Sequence, residues 1–507
     1  MRIGMGGAVA KIYRYGMFVG GSWVDSSSGD KFKVLNPATE EPIAEVPLGG
    51  IEDVRNAIDA ARDAFDSGSW SGRSPAERSS ILWKMADLVE KNSLRLAELE
   101  SKNVGKTIKY ARDSDLPFII DNLRFFAGAA RNLEGKSAAE YSGIGTSIIR
   151  REPIGVVGAV VPWNYPLYIA MWKIAPALAA GNTIVIKPAS YTPLTLLEFG
   201  KLVERLLPKG VLNIVTGPGD SVGSELARNS KVDMIALTGD VSTGKKIMQL
   251  ASGNVKRVHL ELGGKAPFIV MPDASINAAT EGAIVSAFWN TAQDCTAATR
   301  VYVPEAMHDR FLSLLLKKAS KIRIGDPMKE TTDMGPLISA KQRERVEEYV
   351  NSGVKDGAKL VYGGKRPKGI RRGFYFEPTI FTDVKRDMRI CREEIFGPVL
   401  SIIKYSSLDE AVDQANDVVY GLAASVWGND ITKAISIANR LRFGTVWINE
   451  HGILVSEMPH GGFKQSGFGK DLSMYSLEDY TQVKHVYIDQ TGMERKPWYY
   501  VVYGDKK

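Results

Sequence analysis

Glu261 and Cys295 are the two residues whose types and spacing point most directly to chemistry. Each sits among small residues, in Glu261-Leu262-Gly263-Gly264 and Asn290-Thr291-Ala292-Gln293-Asp294-Cys295. A thiol that attacks an electrophilic carbon forms a covalent adduct, and a neighbouring carboxylate can later activate the water that releases the product. A Glu on a Gly-rich turn, followed one helix later by a Cys, supplies both groups. The chain has 2 cysteines. The other, Cys391, reads as a small, partly buried residue. A motif that needs a free thiol fits a reducing compartment, so a cytoplasmic location is expected.

The flanking residues extend the pattern. Pro162-Trp163-Asn164-Tyr165-Pro166, Lys187-Pro188-Ala189-Ser190, Thr238-Gly239 with Gly244, and Glu393-Glu394-Ile395-Phe396-Gly397-Pro398 accompany the first two segments. In this order and at these separations they resemble the aldehyde dehydrogenase superfamily, over roughly residues 17 to 488. The resemblance implies that Cys295 attacks an aldehyde carbon to give a thiohemiacetal. Asn164 and the Cys295 backbone N–H would receive its oxygen as an oxyanion hole. Hydride would pass to a nicotinamide, leaving a thioester, and Glu261 would activate the water that cleaves it. Relatives that hand the acyl group to coenzyme A generally lack this base, so hydrolysis to the carboxylate is expected. No metal is called for. A non-catalytic structural protein with this fold would be expected to lose Cys295 or Glu261, and both are present.

The resemblance also implies a cofactor site. Gly239 and Gly244 frame Asp240-Val241-Ser242-Thr243, a strand-to-helix turn whose backbone N–H groups can receive a pyrophosphate. Asp240 departs from the family, which has Ser there, and a carboxylate beside phosphate is unfavourable unless it points away. Gly217-Pro218-Gly219 matches the glycine turn beside the adenine, with Gly219 a contact. Lys187 matches the lysine near the adenosine ribose, Glu394 the acid on the nicotinamide ribose, and Phe396 its neighbour. Pro162, Trp163 and Leu262 complete the expected contacts. Ser190 occupies the position where NAD-preferring relatives commonly carry an acid. Serine removes repulsion of a 2′-phosphate, so NADP is favoured, with NAD the alternative.

The expected substrate is a small aldehyde, best an ω-aminoaldehyde such as 4-aminobutanal. Residues Val455 to Gly462 resemble the aminobutyraldehyde dehydrogenase branch, near the betaine-aldehyde enzymes. Tyr165 and Trp172 match tunnel-wall positions, and Asp294 precedes the thiol. Asp115, Asp121 and Glu457 are candidate acids for a cationic tail. Succinate semialdehyde and broad specificity remain the alternatives, although no Arg anchor for a second carboxylate is assignable.

Around these residues the chain alternates short β-branched runs with amphipathic stretches, which predicts parallel sheets covered by helices. Strands are expected at 156–161, 183–187, 211–215, 234–237 and 258–262, and helices at 170–180, 192–207, 221–228 and 242–251. A second series has strands at 267–271, 300–303, 399–403, 423–427 and 445–449, with helices at 278–289, 308–322 and 341–350. The fold class is α/β: a Rossmann-like cofactor domain, an α/β catalytic domain and a small β oligomerisation element. The expected boundaries are 1–135 and 154–264 for the cofactor domain and 265–450 for the catalytic domain. Segments 136–153 and 480–507 would form the oligomerisation element, and 451–479 would return to the cofactor domain and tunnel. A homodimer or homotetramer is implied.

With 507 residues, 24% charged and 44% hydrophobic, the composition is that of an ordinary globular chain of two or three domains. No apolar run reaches the length of a membrane span. The net charge of +7 is dispersed rather than gathered into a nucleic-acid footprint. Neither a membrane nor nucleic acid is therefore an expected partner. Met1 to Ala10 reads as a disordered extension.

Overall fold

The computed structural model describes residues 12–135 and 137–505; the Met1 to Ala10 extension lies outside them. Two large sheets carry the chain, and helices cover both.

The first sheet has eight strands. Five of them are parallel, in the spatial order Arg257–Leu262, Met234–Gly239, Val156–Val160, Thr183–Lys187, Leu212–Ile214. Their residues are apolar on both faces and buried, as parallel strands flanked by helices must be. Met17–Val19 and Ser22–Val24 close one edge as an antiparallel pair, and Gly467–Phe468 pairs antiparallel at the other.

The strand that comes first in sequence among the five lies between the second and the fourth, so the winding reverses beside Val156–Val160. Ligands of open α/β sheets bind outside the carboxyl ends of the strands at such a reversal.

The second sheet has seven strands, six of them parallel: Thr379–Thr382, Val399–Tyr405, Arg300–Pro304, Pro267–Val270, Ala423–Trp427 and Thr445–Ile448. Lys359–Tyr362 is antiparallel at its edge. A separate antiparallel sheet joins Ala138–Ala139 and Gly145–Pro153 to Thr481–Asp489.

Several expected boundaries shift. The helix expected at 170–180 begins at Pro166, because proline at a first helical position needs no N–H partner. The helix expected at 192–207 runs only from Leu194 to Val203, with Pro193 just outside it. Pro208 disfavours helical backbone at Leu207, and the chain turns there instead. The helix expected at 221–228 is α-helical only over Ser224–Arg228, after a wider turn over Gly219–Gly223. The helices at Ile51–Asp66, Pro75–Lys91, Ser93–Val104 and Leu116–Ala129 had no sequence assignment.

One buried ion pair ties the first sheet's cover to the returning C-terminal segment. Lys173 Nζ lies 2.8 and 2.7 Å from the two oxygens of Asp471, and both side chains are fully buried. His259 Nε2 is 3.3 Å from the same carboxylate. The Asp471 carboxyl is held far below its ordinary range despite its burial, with Lys173 the principal cause. Asp471→Ala strands a buried ammonium, and removal of one partner of such a pair costs about 3–5 kcal/mol. Chemical denaturation should show that loss, and Lys173→Met combined with Asp471→Leu should recover much of it. An unchanged midpoint for Asp471→Ala would show that the pair does not hold the segment.

Candidate active site

The sequence motifs converge on one edge of the first sheet. Pro162, Trp163 and Asn164 follow the strand Val156–Val160, and Lys187 ends its neighbour. Gly239 and Glu261 lie at the same end of the strands Met234–Gly239 and Arg257–Leu262. All of these ends lie beside the winding reversal.

Glu261 and Cys295 meet there. The Cys295 Sγ lies 3.6 Å from Glu261 Oε1, with Cys295 half-buried and Glu261 1% exposed. Burial pushes the thiol well above its ordinary pKa, and the charge of Glu261 adds to the effect. A third side chain joins them: His460 Nε2 is 3.4 Å from Glu261 Oε1. Glu261 Oε2 and both ring nitrogens of His460 are buried without a hydrogen-bond partner in the structure. His460 lies within the Met458-Pro459-His460-Gly461-Gly462 stretch, yet no spacing rule relates it to Glu261, 199 positions before it, or to Cys295, 165 before it. Sequence reasoning missed it.

The loop into Cys295 is strained. Asn290, Thr291 and Ala292 all have φ between 43° and 57°, a region that costs a non-glycine residue about 1–3 kcal/mol. Side chains hold it in place. Asn290 Nδ2 donates to Asn164 O (3.1 Å) and Gln293 O (3.3 Å), Thr291 Oγ1 to Gly335 O (3.1 Å), and Ile338 N to Gln293 Oε1 (2.9 Å). Asn164 Nδ2 donates one hydrogen to Gln293 O at 2.9 Å, and its other amide hydrogen remains available. Asn164 is thus joined to the cysteine loop from the opposite side of the cleft.

The glycines before the thiol have steric causes. A Cβ on Gly263 would lie 2.4 Å from Glu394 Oε2, and one on Gly264 would lie 2.2 Å from Cys295 O. The Gly264 N–H donates to Glu394 Oε1 at 2.8 Å. Burial raises the Glu394 carboxyl to about 7. Phe396, with φ 60°, meets Trp163 edge-on at 5.1 Å.

Lys187, Ser190 and Gly217, expected at the adenosine end of a dinucleotide, lie together, and the role of Asp240 is revised. Lys187 Nζ donates to Pro188 O (2.7 Å) and Gly217 O (3.3 Å), and Ser190 Oγ donates to Gly217 O (3.2 Å). Burial brings the Lys187 ammonium down to about 8. Gly219 has nothing within 4 Å of where a Cβ would stand, which leaves the turn open to a ligand. Asp240, however, caps the helix Val241–Ala251: it accepts from Thr243 N (3.0 Å) and from the hydroxyls of Ser242 and Thr243 (2.5 and 2.7 Å). The hydroxyls of Ser242 and Thr243, two residues expected at the cofactor, are therefore turned to Asp240. Gly244 allows close packing, since a Cβ there would lie 2.6 Å from Leu262 Cδ1.

A cavity of about 540 Å³ leads to Cys295. Its wall includes Tyr165, Trp172, Asp294, Asp115, Asp121 and Glu457, so the candidate tunnel residues are brought together. Tyr110, Phe118, Tyr168 and Trp289 add further aromatic faces, and among the described residues no Lys or Arg lines it. The acids differ in kind. Asp115 is 1% exposed and lies 2.5 Å from Lys106 Nζ, so it is a neutralised wall residue rather than an entrance acid. Asp294 accepts from Tyr165 Oη, Thr296 N and Thr296 Oγ1, each at 2.6 Å. Asp121 accepts from Ser456 Oγ at 2.6 Å. Glu457 is exposed at the rim without such a partner.

Residues 23–486 match the sequence profile of the aldehyde dehydrogenase family. Betaine aldehyde dehydrogenase of Bacillus subtilis (strain 168) is 48% identical over 474 residues, 93% of this chain and 96% of that protein. The NAD+ complex of an aldehyde dehydrogenase from Bacillus cereus superposes with a TM-score of 0.92 at 41% identity, covering 94% of this chain and 96% of the other. A betaine aldehyde dehydrogenase from Staphylococcus aureus in complex with NAD+ gives 0.94 at 38% identity, with 96% of each chain covered.

Because the Glu261 charge raises the thiol pKa, Glu261→Gln should lower it. The rate of Cys295 alkylation by iodoacetamide in the ligand-free protein should rise with pH to beyond the ordinary thiol range of about 8.5. The Gln variant should turn up at lower pH and react faster at pH 7.5. Superimposable profiles would show that Glu261 does not act on the thiol.

Proposed function

The chain belongs to the aldehyde dehydrogenase family and oxidises aldehydes, and from that premise we propose that Cys295, Glu261 and Asn164 carry the reaction to a free carboxylate. The observation that supports this most is the contact of 3.6 Å between Cys295 Sγ and Glu261 Oε1 at the carboxyl edge of the sheet. Cys295 adds to the aldehyde carbon as its thiolate, its proton having passed to solvent. The carbonyl oxygen takes the negative charge and receives the spare Asn164 amide hydrogen and the Cys295 N–H. The nicotinamide coenzyme, when bound, supplies the hydride acceptor. Glu261 deprotonates the water that attacks the thioester, and Cys295 leaves as thiolate.

Lys187, Ser190 and Gly219 would hold the adenosine end of that coenzyme, the Gly239 turn its pyrophosphate, and Glu394 with Phe396 its nicotinamide ribose. The NAD+ complexes of the Bacillus cereus and Staphylococcus aureus relatives support NAD. Ser190 supports use of NADP as well, since no carboxylate stands there to repel a 2′-phosphate. Residues 12–135 and 154–264 would form the coenzyme half and 265–450 the catalytic half. The sheet of 138–153 and 481–489 would join subunits of a homodimer or homotetramer, and its exposed Val483 and Tyr487 support that role.

The substrate we infer is a cationic aldehyde. An ω-aminoaldehyde such as 4-aminobutanal suits a wall of aromatic faces with carboxylates at its rim. Betaine aldehyde is the second reading, favoured by the name of the Bacillus subtilis relative. The carboxylate of succinate semialdehyde would find no cationic side chain in the lining.

Replacing Cys295 with Ala should abolish NAD(P)H formation, and Glu261→Gln should leave a first-turnover burst followed by slow deacylation. Substantial turnover by Cys295→Ala, or an unchanged steady state for Glu261→Gln, would remove the mechanism. Ser190→Glu should raise the Michaelis constant for NADP far more than that for NAD, by about 1–3 kcal/mol of repulsion; equal changes would place Ser190 away from the ribose. For the substrate, kcat/KM should favour 4-aminobutanal over pentanal. Glu457→Gln should reduce that preference at low salt and have less effect at high salt, where screening shortens the reach of a rim charge. Equal use of pentanal at every salt concentration would defeat the cationic reading.

A further inference from the structure

The oxidation chemistry accounts for Cys295 and Glu261 but gives His460 no part, although its ring is 1% exposed and neither nitrogen has a hydrogen-bond partner in the structure. We propose that Glu261, Cys295 and His460 form a zinc-binding site through which Zn²⁺ reversibly switches the enzyme off. The switching rests on the catalytic roles given to Cys295 and Glu261; the binding does not.

The donor set is one carboxylate oxygen, one thiol sulfur and one imidazole nitrogen, three ligand types that zinc accepts. Zinc bonds of about 2.0–2.1 Å to N and O and about 2.3 Å to S fix the edges of a tetrahedron at about 3.4 Å for N···O and about 3.6 Å for O···S. The observed His460–Glu261 and Glu261–Cys295 separations are 3.4 and 3.6 Å. All three ligand atoms lie within 4.8 Å of one another, so a movement of about 1 Å by the imidazole or the thiol closes the remaining edge. Cys295 and His460 both line the cavity, which gives an ion a path in and a direction for the fourth ligand, a water. Binding exchanges the thiol proton for a sulfur–zinc bond, with the proton released to solvent and no change of oxidation state. Trp172 rests against the His460 ring at 5.3 Å. No carboxylate or carbonyl orients the second ring nitrogen, and the lack of such an outer bond, worth about 10–100-fold in metal affinity, suits a metal that is released again. Mg²⁺ and Ca²⁺ require six or more oxygen ligands and do not fit.

The test uses the full-length protein, stripped of metal. Zn²⁺ titrated against a chromophoric chelator should bind at one ion per chain, and His460→Phe, Cys295→Ala and Glu261→Gln should each weaken it at least tenfold. Co²⁺ in the wild type should give a near-ultraviolet thiolate-to-cobalt band that Cys295→Ala lacks. Aldehyde oxidation should fall with the zinc-binding midpoint and return with EDTA, while Mg²⁺ has no effect. Zinc affinity unchanged in His460→Phe, or no thiolate–cobalt band in the wild type, would overturn the site. Zinc binding with undiminished turnover would overturn the switch. A cobalt band on adding Co²⁺, together with no aldehyde oxidation by the metal-free protein, would leave the site standing and remove the catalytic reading instead.

Discussion

A side chain at Gly264 would run into the Cys295 backbone and one at Gly263 would displace the Glu394 carboxylate, and the site depends on that constraint. The two residues link the last parallel strand of the first sheet, Arg257–Leu262, to the strand Pro267–Val270 of the second. At Gly263 the space belongs to Glu394, and at Gly264 to the carbonyl of Cys295. One turn thereby brings together a carboxylate from the first sheet, the cysteine loop and an acid from a remote loop. A methyl group at Gly264 would push the cysteine loop away, and one at Gly263 would push away the Glu394 carboxylate.

The second sheet supports the other side. His451, buried and brought down to about 4, is neutral. Its Nε2–H donates to Thr296 O at 2.7 Å, which leaves Nδ1 to accept from Ser425 Oγ at 3.0 Å. Arg300 Nε donates to Lys265 O (3.0 Å) directly after the glycine turn. The left-handed residues before Cys295 are thus held by bonds to Asn164 and Gly335, while His451 holds Thr296 just after the thiol. Strain of this kind persists only where the surroundings over-determine it, and here the cost of three such residues is spread over a rigid frame.

Much of this was legible in the sequence because β-branched runs and glycine turns act locally. The parallel strands from 156 to 262 were readable within a residue or two, since a doubly covered strand is a short apolar run whatever surrounds it. The four N-terminal helices went unassigned, although Ser74-Pro75-Ala76-Glu77 carries a capping-box signal that the structure uses. The candidate tunnel residues were brought to one cavity, but their ionic states were not readable. Nothing local tells that Lys106 reaches Asp115, or that Tyr165 and Thr296 enclose Asp294. His460 is the clearest case: its meaning comes entirely from a contact with a residue on another strand. Asp240 looked anomalous as a phosphate neighbour and is ordinary as a helix cap.

The cavity separates two electrostatic tasks by depth. Its deep acids are paired or enclosed by donors, so they shape the wall without presenting a free charge to a ligand. Its rim acid Glu457 is exposed, so its field extends into solvent, where attraction acts on the rate of arrival and is screened by salt. Between them, aromatic faces offer a cation weak attraction without competing for its hydrogen bonds. Such a route does not distinguish an ammonium tail from a metal ion on the way in. Discrimination falls to the far end, where an aldehyde meets a nucleophile and an amide donor, and a metal meets a thiol, a carboxylate and an imidazole with no other partner. The 3.6 Å that sets Glu261 beside the thiol also spaces it as a zinc ligand, so the proposed catalytic contact and the proposed metal site share one geometry.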